Sequence, residues 1–331
     1  MRRAAPAALA AVLLLVAAPG ASALHDPCAR WDERVVASGL GSLENVEADG
    51  LGGLLVSASD QDAIVRITRD GKVRTLVPDV VGPGGLRVRH GVLFFNTHDT
   101  LASGLNDVPD GTVERFDLRT RKRTLYAKDI VMPNGLVFLP NGDALTSRDA
   151  GGPPAIYRLP RRDPRHSPLP WAETDDNNGM AVDPAGKWLY AVQTFKADSP
   201  LLRFRIADPS KVEVFARLGQ AKGLDDMTID KAGVLYLTAN GTGELIRLDP
   251  RTKVSCVIAG GLAAGWRNTS AVKFGCGPGW RQDHLYVVGF DGVVRELSPP
   301  AGHSSARGDC SGRRALRPRV RDPRRRPPRS R

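Results

Sequence analysis

The amino-acid sequence predicts an all-β fold, a six-bladed β-propeller with four antiparallel strands in each blade. Two observations carry this prediction. A unit of 40 to 50 residues occurs six times, and each copy alternates apolar segments with Gly, Asn and Asp turns. The sixth copy stops after its third strand, whereas a spare strand precedes the first copy. A ring of blades closed by the N-terminal strand explains both features.

The copies align on the start of their first strand. They begin at Glu44, Gly84, Asn134, Asn178, Asp225 and Ser270. Every copy supplies a second and a third strand, and copies one to five add a fourth, as at Val254–Val257. Because copy six ends at Pro299, we expect the segment Arg34–Ala37 to complete blade six.

Residues 1–23 have the pattern of a secretory signal. Arg2 and Arg3 precede the apolar stretch Ala7–Ala18, which is shorter than the ~20 residues of a membrane span, and Ala21–Ala23 fits a cleavage site. The alternative is a membrane anchor or a buried helix. We therefore expect a secreted protein without a stable membrane span after signal removal, with the propeller at residues 24–300.

The formal net charge of +11 belongs mainly to residues 301–331, which carry eleven Arg and two Asp. This Arg- and Pro-rich segment has few apolar residues, so we expect a disordered tail that is either solvated or attracted to an anionic surface. Residues 24–300 are close to neutral, and we expect no nucleic-acid partner.

Four cysteines without CxxC spacing favour disulfides in an exported protein over a zinc site. The connectivity is open from sequence. Cys256 begins an outer strand and Cys276 ends an inner one, so both are expected on one face of the propeller, and the pair Cys256–Cys276 is favoured.

The repeat geometry predicts a ring of oxygen donors at one mouth of the central channel. The six first-strand starts meet there, and Asn45 and Asp226 are adjacent to it. Such oxygens suit Ca²⁺ or another hard divalent cation, although Asn and Asp are also ordinary turn residues. The ring contains no Cys or His, which argues against structural zinc.

His98 follows the second strand of copy two on the same face as this ring. A His beside a bound cation is a candidate general base, and a solvated loop His is the alternative. No GxSxG, HExxH, P-loop or GxGxxG motif is present.

The chain resembles the SMP-30/gluconolactonase/LRE family and the related paraoxonase-type arylesterases over roughly Leu43–Leu297. The resemblance lies in MPNGLVF at Met132–Phe138, NNGMAVD at Asn177–Asp183 and GLDDMTID at Gly223–Asp230. Two features depart from the family pattern. Glu44 is followed by Asn-Val rather than by x-Pro, and Asn45 and Gly135 occupy positions where a second metal site needs acids.

The resemblance implies a metal-dependent hydrolase of lactones or esters. It implies that Glu44, Asn134, Asn178 and Asp225 bind one divalent cation. We expect Ca²⁺, with Zn²⁺, Mg²⁺ or Mn²⁺ as alternatives. It also implies that His98 and Asp225 are the catalytic residues. We expect a monomer that acts on a small molecule. The alternative is a non-catalytic propeller that binds a ligand or protein, or a strictosidine-synthase-like member without metal-dependent hydrolysis.

Overall fold

The structure is a computed structural model that describes residues 26–163, 165, 167–300 and 306–310. The predicted signal at residues 1–23 and most of the predicted tail at residues 301–331 lie outside the described residues. The described chain forms six sheets of four antiparallel strands, which confirms the predicted six-bladed propeller.

The first strand, β1 (Asp32–Ala37), belongs to blade six. Blades one to three each run in chain order from an inner to an outer strand. Their strands are β2 (Leu43–Ala48), β3 (Gly53–Ala58), β4 (Ala63–Thr68) and β5 (Val73–Val77); β6 (Leu86–Arg89), β7 (Val92–Thr97), β8 (Gly111–Asp117) and β9 (Arg123–Ile130); and β10 (Pro133–Phe138), β11 (Ala144–Arg148), β12 (Ile156–Leu159) and β13 (Leu169–Ala172).

Blades four to six follow the same order, and β1 is the outer strand of blade six. Their strands are β14 (Asn177–Val182), β15 (Trp188–Gln193), β16 (Pro200–Arg205) and β17 (Asp208–Arg217); β18 (Leu224–Ile229), β19 (Leu235–Ala239), β20 (Glu244–Leu248) and β21 (Ser255–Gly260); and β22 (Thr269–Phe274), β23 (Leu285–Gly289) and β24 (Val294–Ser298).

One short helix, α1 (Leu101–Leu105), lies between β7 and β8. No helix among the described residues is long and apolar enough to cross a membrane.

The hydrophobic core lies between neighbouring blades. Leu54 and Val56 of blade one pack in one buried cluster with Tyr286 and Val288 of blade six. The inner strand β2 and its neighbour β3 are buried along their whole length, because adjacent sheets cover both of their faces. Removal of this apolar surface from water is the main force that holds the blades together.

A ring of hydrogen bonds, the inter-blade ring, joins each inner strand to the next blade. A side chain on or after a second strand, or Ser270 in blade six, donates to a carbonyl at the start of the following inner strand. The pairs are Ser57 Oγ to Gly84 O, Asn96 Nδ2 to Asn134 O, Ser147 Oγ to Asn178 O, Thr194 Oγ1 to Leu224 O, Thr238 Oγ1 to Ser270 O and Ser270 Oγ to Leu43 O, at 2.6 to 2.9 Å.

The ring of blades closes as the sequence predicted. β1 pairs antiparallel with β24, so the N-terminal strand completes blade six. Glu296 on β24 strengthens this closure, since its carboxylate accepts hydrogen bonds at 2.7 Å from Arg34 on β1 and from Arg69 beside blade one.

The predicted pairing of Cys256 with Cys276 is wrong. The structure pairs Cys28 with Cys256 and Cys276 with Cys310. Cys256 lies on the outer strand of blade five, whereas Cys276 follows the inner strand of blade six, so the two are at different radii. Each finds its partner in a segment near one end of the described chain, and those segments have no position in the repeat.

A buried ion pair lies in the channel between the inner strands. Lys273 Nζ of β22 contacts the carboxylate of Asp226 on β18, and both side chains are nearly inaccessible to solvent. Asn45 Nδ2 also donates to Asp226 Oδ2, at 3.3 Å. The charge of Asp226 is therefore matched inside the channel.

We expect Glu296→Gln to lower the free energy of unfolding by about 2 kcal/mol, because charge-assisted hydrogen bonds from half-exposed arginines are lost. Burial opposes ionisation, but the hydrogen bonds from Arg69 and Arg34 outweigh it and lower the pKa of Glu296 from 4.5 to about 2. The contribution is thus complete above about pH 5 and is lost as pH falls from 4.5 to 2. Urea unfolding at pH 7 and pH 3 measures it.

Asp70→Asn, which removes an exposed ion pair with Lys72, is the control and should leave stability nearly unchanged. An equal effect of both substitutions would contradict the assignment of Glu296 to ring closure.

Lys273→Met should cost about 3–5 kcal/mol of unfolding free energy, because it leaves the carboxylate of Asp226 buried and unpaired. The double variant Asp226→Asn/Lys273→Met should recover most of this loss, as measured by urea unfolding. Lys211→Met, which removes an exposed ion pair with Asp208, is the matched control. A neutral Lys273→Met would show that the pair contributes nothing.

Candidate active site

A cavity of about 280 Å³ lies at the channel mouth where the inner strands begin. We call it the acidic cavity, because four carboxylates and no Lys, Arg or His line it within the described chain. Its lining residues are Glu44, Asp99, Leu101, Met132, Asn134, Asp149, Asn178, Thr194, Phe195, Asp225, Asn240 and Phe290.

The acidic cavity contains all four residues that were predicted to bind a cation. Glu44, Asn134, Asn178 and Asp225 stand at equivalent places on β2, β10, β14 and β18. At each of these places the pairing with the second strand is interrupted. The breaks fall between Leu43 and Val46, Pro133 and Leu136, Asn177 and Met180, and Leu224 and Met227. Such irregularities redirect a side chain away from the regular pleat.

Glycine follows the site residue in blades three and four because the inner strands nearly touch there. A Cβ on Gly135 would lie 2.6 Å from the carbonyl oxygen of Asn178, and one on Gly179 would lie 2.4 Å from Cα of Asp226. The Asn-Gly sequences therefore allow the close approach that brings the two asparagines to one mouth.

The remaining members of the predicted ring are not in the cavity lining. Gly84 supplies only a backbone carbonyl to Ser57, and Ser270 donates to Leu43 O. Asn45 and Asp226 lie deeper, in the channel, where Asp226 pairs with Lys273.

His98 is half-buried, and it is not among the lining residues of the acidic cavity. Its ring Nδ1 lies 3.1 Å from Thr97 Oγ1. The backbone of His98 is left-handed, with φ of 58°, and the next residue, Asp99, lines the cavity instead. The role of His98 as a base stays a prediction.

Sequence reasoning missed the carboxylates Asp99 and Asp149. Both follow second strands, one or two residues beyond the strand end. Arg148, the last residue of β11, lies next to Asp149 but donates to Gly104 O and Ala150 O and pairs with Asp107. The available signal was an acidic residue just beyond the end of a second strand, which both Asp99 and Asp149 provide.

Carboxamides and a hydroxyl hold the carboxylates in place. Asn134 Nδ2 donates to Glu44 Oε1 at 3.1 Å and to Asp99 Oδ2 at 2.8 Å. Asp225 accepts from Asn178 and Asn240, both at 3.0 Å. Thr194 Oγ1 lies 2.8 Å from Asp149 Oδ1 and 2.9 Å from Leu224 O, so its one proton is shared between these two acceptors.

Burial and mutual repulsion disfavour ionisation of these carboxyl groups. Burial, followed by the charge of Asp149, raises the pKa of Glu44 to about 8. Burial likewise raises the pKa of Asp149 to about 7. The pKa values of Asp99 and Asp225 are well above normal, because of burial and then the charge of Glu44. Without a cation these carboxyl groups therefore favour their protonated, neutral form, and no Lys, Arg or His in the described lining offers a compensating positive charge.

The donor set fits a hard cation only if carboxamide oxygens take part. Among the described residues, no group of three or more His, Cys, Asp or Glu side chains could hold a metal ion by itself. Asn178 Oδ1 and Asp99 Oδ1 are buried and have no hydrogen-bond partner. Two carboxylates and two carboxamides, with such unpaired oxygens beside them, are the ligand types that Ca²⁺ accepts.

Apolar side chains form the outer rim of the cavity. Leu101 on α1, Phe195 after β15 and Phe290 after β23 line it and are 53%, 55% and 41% exposed. An acidic floor under an apolar rim accommodates a molecule with a polar reacting group and an apolar substituent.

Residues 146–289 match the family model described as the SMP-30/Gluconolactonase/LRE-like region. No curated protein shows significant sequence similarity to the chain.

Solved structures share the fold at low sequence identity. A candidate gluconolactonase is 18% identical over 81% of this chain and 92% of its own, with a TM-score of 0.62. A gluconolactonase from Xanthomonas campestris is 18% identical over 82% of this chain and 90% of its own, with a TM-score of 0.61. A luciferin-regenerating enzyme is 13% identical over 86% of this chain and 100% of its own, with a TM-score of 0.62.

These likenesses concern the propeller itself, and the family match covers blades that supply Asn178 and Asp225. Residues 146–289 of the chain are therefore similar to the SMP-30/Gluconolactonase/LRE-like region, and they lie on the six-bladed propeller that the repeats predict.

Proposed function

We propose that the protein hydrolyses a lactone or an ester in the acidic cavity with the help of one divalent cation. The observation that carries the proposal is the group of acidic and carboxamide side chains at the channel mouth. Three of its four acids are buried and Asp99 is half-buried, and three carboxamides line the cavity beside them. The family match supports lactone hydrolysis as the reaction class. A purely structural propeller has no need for so many acidic side chains in one cavity without a Lys, Arg or His beside them.

We assign Glu44, Asn134, Asn178 and Asp225 as the residues that would hold the cation. Their oxygen donors favour Ca²⁺, with Zn²⁺, Mg²⁺ or Mn²⁺ as alternatives. When bound, such an ion supplies a Lewis acid for a carbonyl oxygen. Asn240 and Asn178 fix the carboxylate of Asp225 from two sides, which keeps it in one orientation. Asn134 fixes Glu44 in the same way.

Attack by water on a carbonyl carbon needs a proton acceptor near the carbonyl. The sequence analysis predicts His98 as this proton acceptor. Asp99 is the alternative, because its Oδ1 is buried in the cavity wall without a hydrogen-bond partner, while its Oδ2 is oriented by Asn134. In either case the acceptor returns the proton to the leaving oxygen.

The proposed substrate is uncharged and carries an apolar substituent. The floor of the cavity repels anions, and Leu101, Phe195 and Phe290 offer apolar contacts to a chain or ring that extends toward solvent. A polyhydroxylated lactone would leave these contacts unused.

We also propose that the protein is exported and works in an oxidising compartment. All four cysteines are paired, as Cys28–Cys256 and Cys276–Cys310. Paired structural cysteines are typical of exported proteins.

Removal of divalent cations with EDTA should abolish hydrolysis across a panel of apolar lactones and aryl esters, and added Ca²⁺ should restore it. Asp225→Asn should lower kcat/KM by about 100-fold or more and should weaken Ca²⁺ binding measured by calorimetry. Asp208→Asn, at an exposed ion pair on β17, is the control. A cation-loaded protein that is inert on the whole panel would contradict the proposal.

Substitution of the two acceptor candidates separates their roles. With Asp99 as the acceptor, Asp99→Asn loses about 100-fold in kcat, and His98→Gln loses far less. We expect this pattern, because Asp99 lines the cavity and His98 does not. The reverse pattern would assign the base to His98. Calorimetric Ca²⁺ binding by each variant shows whether lost activity reflects a lost cation.

A further inference from the structure

A second cavity, of about 560 Å³, lies between blades two and three on the face opposite the acidic cavity. We call it the arginine cavity. Arg89 ends β6, Arg115 lies on β8 and Arg161 follows β12, and all three line it. Phe94, Tyr126 and Phe138 form its aromatic wall. The proposed hydrolysis does not involve this cavity, and Arg161 alone of its lining residues lies within the family match.

The arginine cavity is strongly positive. No carboxylate lines it, and no described carboxylate forms an ion pair with Arg89, Arg115 or Arg161. The nearby acids form ion pairs with other arginines, Glu114 with Arg123 and Asp143 with Arg158. Three guanidinium groups therefore keep donors available for an anion.

The arrangement of the aromatic rings is fixed by packing. Phe94 contacts Tyr126 edge-on with ring centroids 5.2 Å apart, and contacts Phe138 with centroids 4.9 Å apart. The guanidinium of Arg89 lies 4.9 Å from the centroid of Phe138. An apolar wall and a cationic rim thus belong to one packed unit.

Tyr126 is almost completely buried and lines the same cavity as the three arginines. Burial raises the pKa of its hydroxyl, the charge of Asp143 also raises it, and the charges of Arg115, Arg89 and Arg161 lower it. The carboxylate of Asp143 is paired with Arg158, whereas these three arginines have no carboxylate partner among the described residues.

We propose that the arginine cavity binds a small aromatic anion, that is, a ring bearing a phosphate, sulfate or carboxylate group. Guanidinium groups recognise such oxyanions through paired N–H donors, and Phe94, Tyr126 and Phe138 contact the ring. The cavity has the size of an ordinary ligand site, much larger than an inorganic anion requires. The proposal stands independently of hydrolysis in the acidic cavity.

Calorimetric titration of the full protein with 2-naphthyl phosphate tests it. We expect saturable binding of one molecule per chain that weakens as salt is added. Inorganic phosphate, which lacks the ring, and 2-naphthalenemethanol, which lacks the charge, should each bind at least about tenfold more weakly. Inorganic phosphate binding as tightly as the naphthyl ester would overturn the aromatic part of the proposal.

Substitutions locate the site. Arg115→Gln and Arg89→Gln should each weaken binding of 2-naphthyl phosphate by about tenfold. Arg74→Gln removes the same charge from the exposed outer strand β5 of blade one and should change nothing. Equal thermal unfolding of the three variants excludes misfolding as the cause. Binding that is absent, or that survives substitution of both cavity arginines, would refute the proposal.

Discussion

The inter-blade ring is the constraint on which the candidate site depends. Ser147 accepts a hydrogen bond from Gly135 N of its own blade and donates to Asn178 O of the next blade. Thr238 forms the same bridge between Asp226 N and Ser270 O. These buried hydroxyls satisfy backbone groups that the interrupted strand pairing leaves open. They also fix the distances between neighbouring inner strands, and hence between the side chains that start them.

This rigid frame explains how the protein tolerates the acidic cavity. Buried carboxylates are costly, and here neither Lys nor Arg offsets them. Deeper in the channel the buried acid does have a cationic partner, because Lys273 forms an ion pair with Asp226. The cavity carboxylates instead accept hydrogen bonds from Asn134, Asn178 and Thr194, which reduce the cost without removing the charge. The buried carboxyl groups at the channel mouth lower the free energy of unfolding, and the packing between blades offsets that loss.

The sequence was sufficient for the fold and for half of the acidic site. Glu44, Asn134, Asn178 and Asp225 repeat at one position of a repeated unit, so superposition of the copies was enough to bring them together. Asp99 and Asp149 follow second strands, in loops whose lengths differ from copy to copy. Alignment of the copies therefore does not predict where their side chains lie. The partners of Cys256 and Cys276 lie outside the repeats altogether, so periodicity carried no information on them.

The distribution of charge between the two faces bears on how a hydrolase of this kind would work. Ester or lactone hydrolysis produces a carboxylate, and any of Glu44, Asp99 and Asp149 that is ionised would repel that product but not an uncharged substrate. Repulsion in a cavity of low polarity is strong, so it favours product release. The arginine cavity lies on the opposite face, and between the two faces Lys273 donates to Asp226 and to Met227 O inside the channel. The proposed anion site is thus separated from the mouth that the substrate would enter.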